Sequence, residues 1–178
     1  IVLVATIRAL KHHGKGELSA GLANLGKHIE NLQKTGIPVV VSLNHFSTDT
    51  TSEQKVVAQY CQKRDATMVL AEVWEKGAKG GQELAQAILK LIKQPNKFRY
   101  FYDPKIGTMA TVEKLAQDIY GASGVEWTGK AKSDLKRFQS WGIANLPVCV
   151  AKTQASLSDN PKLLGKPSNF KLTVQEIK

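Results

Sequence analysis

IPVVVSLNHFSTDT, Ile37–Thr50, is the stretch on which the fold turns. Ile37–Leu43 is apolar apart from Ser42 and carries Val39, Val40 and Val41 in a row. Such a run is too short for an ordinary helix. Its β-branched content suits a strand buried on both faces, as in a parallel sheet flanked by helices. Toward the C-terminus, Thr50 followed by Glu53 forms a capping box, and Val56, Val57, Tyr60 and Cys61 lie on one side of the helix it opens. Toward the N-terminus, Leu22, Leu25, Ile29 and Leu32 make a helical stripe across Ser19–Lys34, with Gly36 as its stop.

The same alternation continues in both directions. Ile1–Thr6 reads as a central strand and Thr67–Val73 as another, with IRALKHHGKGE (Ile7–Glu17) as a turn-rich connection. After Gly77, Gly80 and Gly81, the residues Leu84, Ala87, Ile88 and Leu91 define one more helix. Strand and helix in this order predict an α/β fold: a mostly parallel sheet with helices on both faces, built from right-handed βαβ units. The C-terminal part reads as more irregular α/β. Strands are expected at Arg99–Tyr102, Val125–Trp127, Pro147–Ala151 and, at an edge, Phe170–Val174, with helices at Ala110–Tyr120 and Ala131–Trp141. A proline-containing break near Gln94–Lys97 predicts two parts, 1–95 and 96–178.

The totals set bounds. With 178 residues, 42% hydrophobic and 22% charged, the chain has the composition of a folded domain rather than a disordered tail. The net charge of +10 favours anionic ligands, but Lys and Arg are scattered and no Arg–aromatic interleaving is present. Nucleic acid is therefore not an expected partner. Neither is a membrane, since no apolar run reaches spanning length. Cys61 and Cys149 both sit in apolar contexts and read as buried free thiols, which favours a reducing, intracellular compartment. The chain opens without Met inside a strand-like run, so it reads as a piece of a longer protein.

Several kinds of chemistry lack their residues here. The Gly-Lys pairs at Gly14, Gly26, Gly129 and Gly165 are followed by Gly, His, Ala and Pro, so no phosphate-cradling GxxxxGK[ST] loop exists. The four histidines show no metal-ligand spacing, no cysteine cluster supports them, and no metal site is expected. No GxSxG elbow occurs. What remains is Phe46 in NHFSTDT and Trp74 in EVWEKG, each just beyond an apolar run and set among polar neighbours. Ligands of open parallel sheets bind beyond the carboxyl ends of the strands. Two rings there can grip a flat ligand, at about 0.5–1.5 kcal/mol per ring pair beyond buried area. Taken singly, each could equally be a rim residue of the core. A third polar cluster, Lys152–Gln154 with Ser156–Asp159, follows the expected strand Pro147–Ala151 and is expected on the same rim.

These residues carry a resemblance. VATIRALKHHG (Val4–Gly14), LGKHIENLQKTGIPVVVSLNHFSTDT (Leu25–Thr50), IYGASGVE (Ile119–Glu126) and LPVCVAKTQASLSDNP (Leu146–Pro161) resemble, in order, the C-terminal portion of formate–tetrahydrofolate ligases. The resemblance implies a ligase of one-carbon metabolism and purine biosynthesis. Such enzymes use ATP to activate formate as formyl phosphate and pass the formyl group to N10 of tetrahydrofolate. They take Mg²⁺, often a monovalent cation, and are usually cytoplasmic homotetramers. Their phosphate-binding loop and catalytic residues lie N-terminal to the matched portion. Residues 1–95 would therefore complete or pack on a nucleotide-binding domain outside this chain, and the fragment alone would be inactive. By the same resemblance, Phe46 and Trp74 are the stacking pair for the folate pterin or for adenine. Leu70 matches an apolar residue lining that slot, and Ser47 follows the stacking Phe where some members carry Pro. Lys15 stands where the motif usually has a second Gly, and Ala155 where an aromatic is common. The alternative reading is a non-catalytic folate- or nucleotide-binding relative.

Overall fold

The computed structural model describes residues 1–151 and 155–178, which form two compact units, Ile1–Arg99 and Tyr100–Lys178. In the first, three strands make a parallel sheet in the order β1 (Val2–Ala5), β2 (Val40–Asn44), β3 (Thr67–Ala71). Leu3 pairs with Val41 and Ala5 with Leu43 across one junction, and Leu43 pairs with Leu70 across the other. These residues share the face covered by α1 (Ile7–His13), α2 (Leu18–Gln33) and α3 (Thr51–Gln62). Ile7, Leu10, Leu22, Leu25, Ile29, Val57 and Cys61 complete the core there. The opposite face carries Val40 and Ser42, both buried, with α5 (Gln82–Leu91) packed against β2 and β3. The chain is thus α/β with helices on both sides of a parallel sheet.

Two expectations about the start of the chain are corrected. β1 is an edge strand of the sheet rather than a central one, and Val2 and Val4 are exposed. An unbroken apolar run signals burial on both faces, yet α5 reaches over β2 and β3 and leaves much of that side of β1 open. The supposed turn-rich connection begins as α1. Thr6 caps it, accepting a hydrogen bond from the Ala9 N–H at 3.0 Å, while Ile7 and Leu10 pack inward. Helix α1 crosses α2 so closely that a Cβ on Gly21 would lie 1.8 Å from the Leu10 carbonyl oxygen. Only glycine fits. The turn between the two helices places Lys15 in the left-handed region at φ 54°, a conformation that costs a side-chain-bearing residue energy.

The second unit is smaller in its regular structure. Helix α6 (Thr108–Leu115) ends in a π turn, Ala116–Tyr120, and together they span the whole of the expected Ala110–Tyr120 helix. Strand β4 (Gly124–Trp127) pairs in parallel with β5 (Lys171–Val174), and α7 (Gly129–Ser140) follows β4. Ala116, Ala122 and Phe170 are buried at its centre, with Val125, Leu163 and Leu172 against them. The strands expected at Arg99–Tyr102 and Pro147–Ala151 do not form. Three of their backbone groups find other partners. The Arg99 N–H donates to the Thr35 carbonyl at 2.9 Å. The Tyr102 hydroxyl donates to the Val148 carbonyl and accepts from the Val148 N–H, both at 3.1 Å. Cys61 is buried as expected, whereas Cys149, in that unpaired segment, is exposed. Among the described residues, no helix is long and apolar enough to cross a membrane.

Candidate functional site

The site is built on the rim where β2 and β3 end together. Asn44 and Ala71 are register partners, and the His45 N–H extends the ladder by donating to the Ala71 carbonyl at 2.9 Å. The two following loops therefore leave the same carboxyl rim side by side. Phe46 is clamped at its backbone. Its N–H donates to Asp49 Oδ2 at 2.9 Å, and its carbonyl accepts from the Asp49 N–H at 2.8 Å. The capping box read in the sequence is present: the Thr50 N–H donates to Glu53 Oε2 at 2.9 Å, and the Glu53 N–H donates to Thr50 Oγ1 at 3.3 Å. Glu53 also pairs with Lys11 of α1. The Lys11 ammonium, followed by the Thr50 N–H and hydroxyl, holds the Glu53 carboxyl down at about 2. The Phe46 loop is thus tied to α3 and to α1.

Above β3, Trp74 stands on a single helical turn, α4 (Val73–Lys76), and is 95% exposed. Phe46 is 39% exposed. Among the described residues neither ring touches another aromatic ring. One face of Phe46 is met by the Arg8 guanidinium, whose Cζ lies 4.8 Å from the ring centroid. Ser47 is exposed on the Phe46 loop. Leu70 is half-buried and packs against the core shared with α1–α3. Of the third polar cluster, Lys152–Gln154 lie outside the described residues. Ser156–Asp159 belong to the second unit, where Asp159 Oδ2 accepts from the Thr173 N–H at 2.9 Å. Pro147–Ala151, the strand expected before this cluster, does not form.

The structure also gathers residues that sequence reading passed over. Donor atoms of His45, Glu72 and Glu75 all lie within 4.8 Å of one another. His45 flanks Phe46 while Glu72 and Glu75 flank Trp74, so the neighbours of the two rings converge. Spacing along the chain hides this, because the contact depends on the β2–β3 register. The group does not fit the Mg²⁺ that the resemblance implies. Mg²⁺ takes oxygen ligands in near-octahedral geometry, whereas one donor here is an imidazole. Glu72 is already neutralised by Lys76 at 2.8 Å, and His45 Nδ1 lies 3.1 Å from Gln54 Nε2.

Comparison with known proteins gives one consistent result. The family described as formate–tetrahydrofolate ligase matches residues 1–178. The formate–tetrahydrofolate ligase of Latilactobacillus sakei subsp. sakei (strain 23K) is 45% identical over 188 residues, covering 99% of this chain and 34% of that relative. The chain thus spans about a third of the length of the curated relative it matches. With the profile matched from the first residue to the last, this chain belongs to the formate–tetrahydrofolate ligase family.

Proposed function

We propose that this chain supplies the ring-binding side of a ligase that joins formate to tetrahydrofolate at the expense of ATP. The observation that carries the reading is the placement of Phe46 and Trp74. Both are exposed, and they stand on adjacent loops that leave one rim of a parallel sheet. A pterin lying against these faces loses water from both sides and is held without a specific polar match. The Asp49 turn and the capping box fix the Phe46 backbone in advance, so less freedom is lost when the ligand arrives. In the full-length ligase, ATP and formate give formyl phosphate, and the formyl group passes to N10 of tetrahydrofolate. The phosphates are held outside this chain, since its Gly-Lys pairs lack the Ser or Thr that such loops require. Mg²⁺, a monovalent cation, a homotetrameric state, a cytoplasmic location and a place in purine synthesis belong to the same reading.

The test is an assay of the full-length protein with formate, ATP and tetrahydrofolate, beside its Phe46→Ala and Trp74→Ala variants. Formation of 10-formyltetrahydrofolate, with a raised KM for tetrahydrofolate in both variants, supports the proposal. No product at saturating substrates, together with tetrahydrofolate binding that still depends on Trp74, would favour the non-catalytic folate- or nucleotide-binding relative.

A further inference from the structure

Arg8 and Lys11 of α1 and Lys76 of α4 differ in how they are compensated. Lys11 pairs with Glu53, and Lys76 pairs with Glu72. Among the described residues, Arg8 has no carboxylate within ion-pair distance and no hydrogen-bond partner. It is exposed, and its guanidinium lies over Phe46 with Cζ 4.8 Å from the ring centroid. A guanidinium held by a ring spends none of its N–H donors in conventional hydrogen bonds to that ring, which leaves them for a second partner. Contact with the ring also limits the freedom of a long side chain, so less is lost when those donors are used.

From this geometry we infer that Arg8 and Phe46 form a compound subsite, in which Phe46 takes the ring of a ligand and Arg8 takes an oxyanion carried by that same ligand. The inference rests on the ring-binding reading above and adds the chemical class of the group beside the ring, a carboxylate or a phosphate. Both match the guanidinium fork and form charge-assisted, bidentate hydrogen bonds with it. The chain's net charge of +10 adds long-range attraction for such a group. Reduced folates carry carboxylates on the glutamate tail, and nucleotides carry phosphates. The position of Arg8 on α1, beyond the end of β1, puts this charge on a third connection at the carboxyl ends of the sheet.

Two ligand pairs separate these sources in the full-length ligase. One is tetrahydrofolate against 6-methyltetrahydropterin, which has the ring without the carboxylates. The other is ADP against adenosine. Each is measured by calorimetry with wild type, Arg8→Gln, Arg8→Lys and Phe46→Ala. Arg8→Gln is expected to weaken the anionic member of one pair about tenfold or more, the scale of a lost charge-assisted hydrogen bond. The neutral member should change less than about twofold, within the range of a surface substitution. The responding pair identifies the group, and Arg8→Lys should restore only part of the loss because an ammonium cannot form the fork. Equal weakening of neutral and anionic ligands would overturn the inference and reduce Arg8 to a support for Phe46. So would no change in either pair. Phe46→Ala should weaken every ring ligand; if it weakens none, the ring-binding reading itself fails, whatever Arg8→Gln does.

Discussion

Trp74→Ala separates a ligand-binding role from a structural one, because the indole is 95% exposed before any ligand arrives. A fully covered indole removes about 150–250 Å² from water. A flat ring on one face would cover about 80 Å² of that, which at ~25 cal/mol per Å² amounts to ~2 kcal/mol. Ring–ring attraction adds about 0.5–1.5 kcal/mol, and immobilising the side chain takes back a similar amount. The expected loss on truncation is therefore about 1–3 kcal/mol, or ~5–150-fold in Kd for tetrahydrofolate. The free protein should hardly notice, since an exposed substitution away from special features changes stability by about 0.5 kcal/mol or less. Both quantities can be measured on the full-length ligase, Kd by calorimetry and stability by urea denaturation. An unchanged Kd would refute the stacking argument. A stability loss well above ~1 kcal/mol would show that the indole serves packing instead.

Other outcomes follow from the same contacts. Glu53, held at about 2 against an ordinary 4.5, should keep the Phe46 loop anchored at neutral pH and release it only as the pH falls through about 2; a carboxyl-carbon NMR titration with a midpoint near 4.5 would contradict this. Lys15→Gly should stabilise the protein by about 1 kcal/mol in chemical denaturation, by relieving the left-handed backbone at φ 54°. Leu43→Ala, at a side chain fully buried between β1 and β3, should cost about 2–5 kcal/mol by the same measurement. Thiol alkylation mapped by mass spectrometry should modify exposed Cys149 and spare Cys61, whose thiol is buried and pushed up to about 11.

Much of the first unit was readable because its signals are local and redundant. The Leu22, Leu25 and Ile29 stripe sets the buried face of α2, and Thr50 with Glu53 marks the start of α3. The Val39–Val41 run could scarcely be anything but a strand, and β2 is the middle strand of the sheet. Misreadings came where a neighbour decides the outcome. Helix α1 has seven residues and a Gly-rich end, and it holds because Ile7 and Leu10 pack on the core. Arg99–Tyr102 and Pro147–Ala151 have the composition of strands, but a strand needs a ladder partner, and Tyr102 takes that place at Val148. At the site, Phe46 and Trp74 were singled out because strand ends in parallel sheets are binding positions, and both are exposed on the loops that follow β2 and β3. Arg8, His45 and the two glutamates were missed. Their proximity is set by strand register and by the crossing of α1, neither of which is written in local spacing.

The central claim is that Phe46 and Trp74 receive the flat ring of the ligand. A crystal structure of the full-length ligase with a bound reduced-folate analogue tests it most directly. The account predicts the pterin in van der Waals contact with both side chains above the carboxyl ends of β2 and β3. A pterin bound elsewhere, with both rings left bare to solvent, would contradict it.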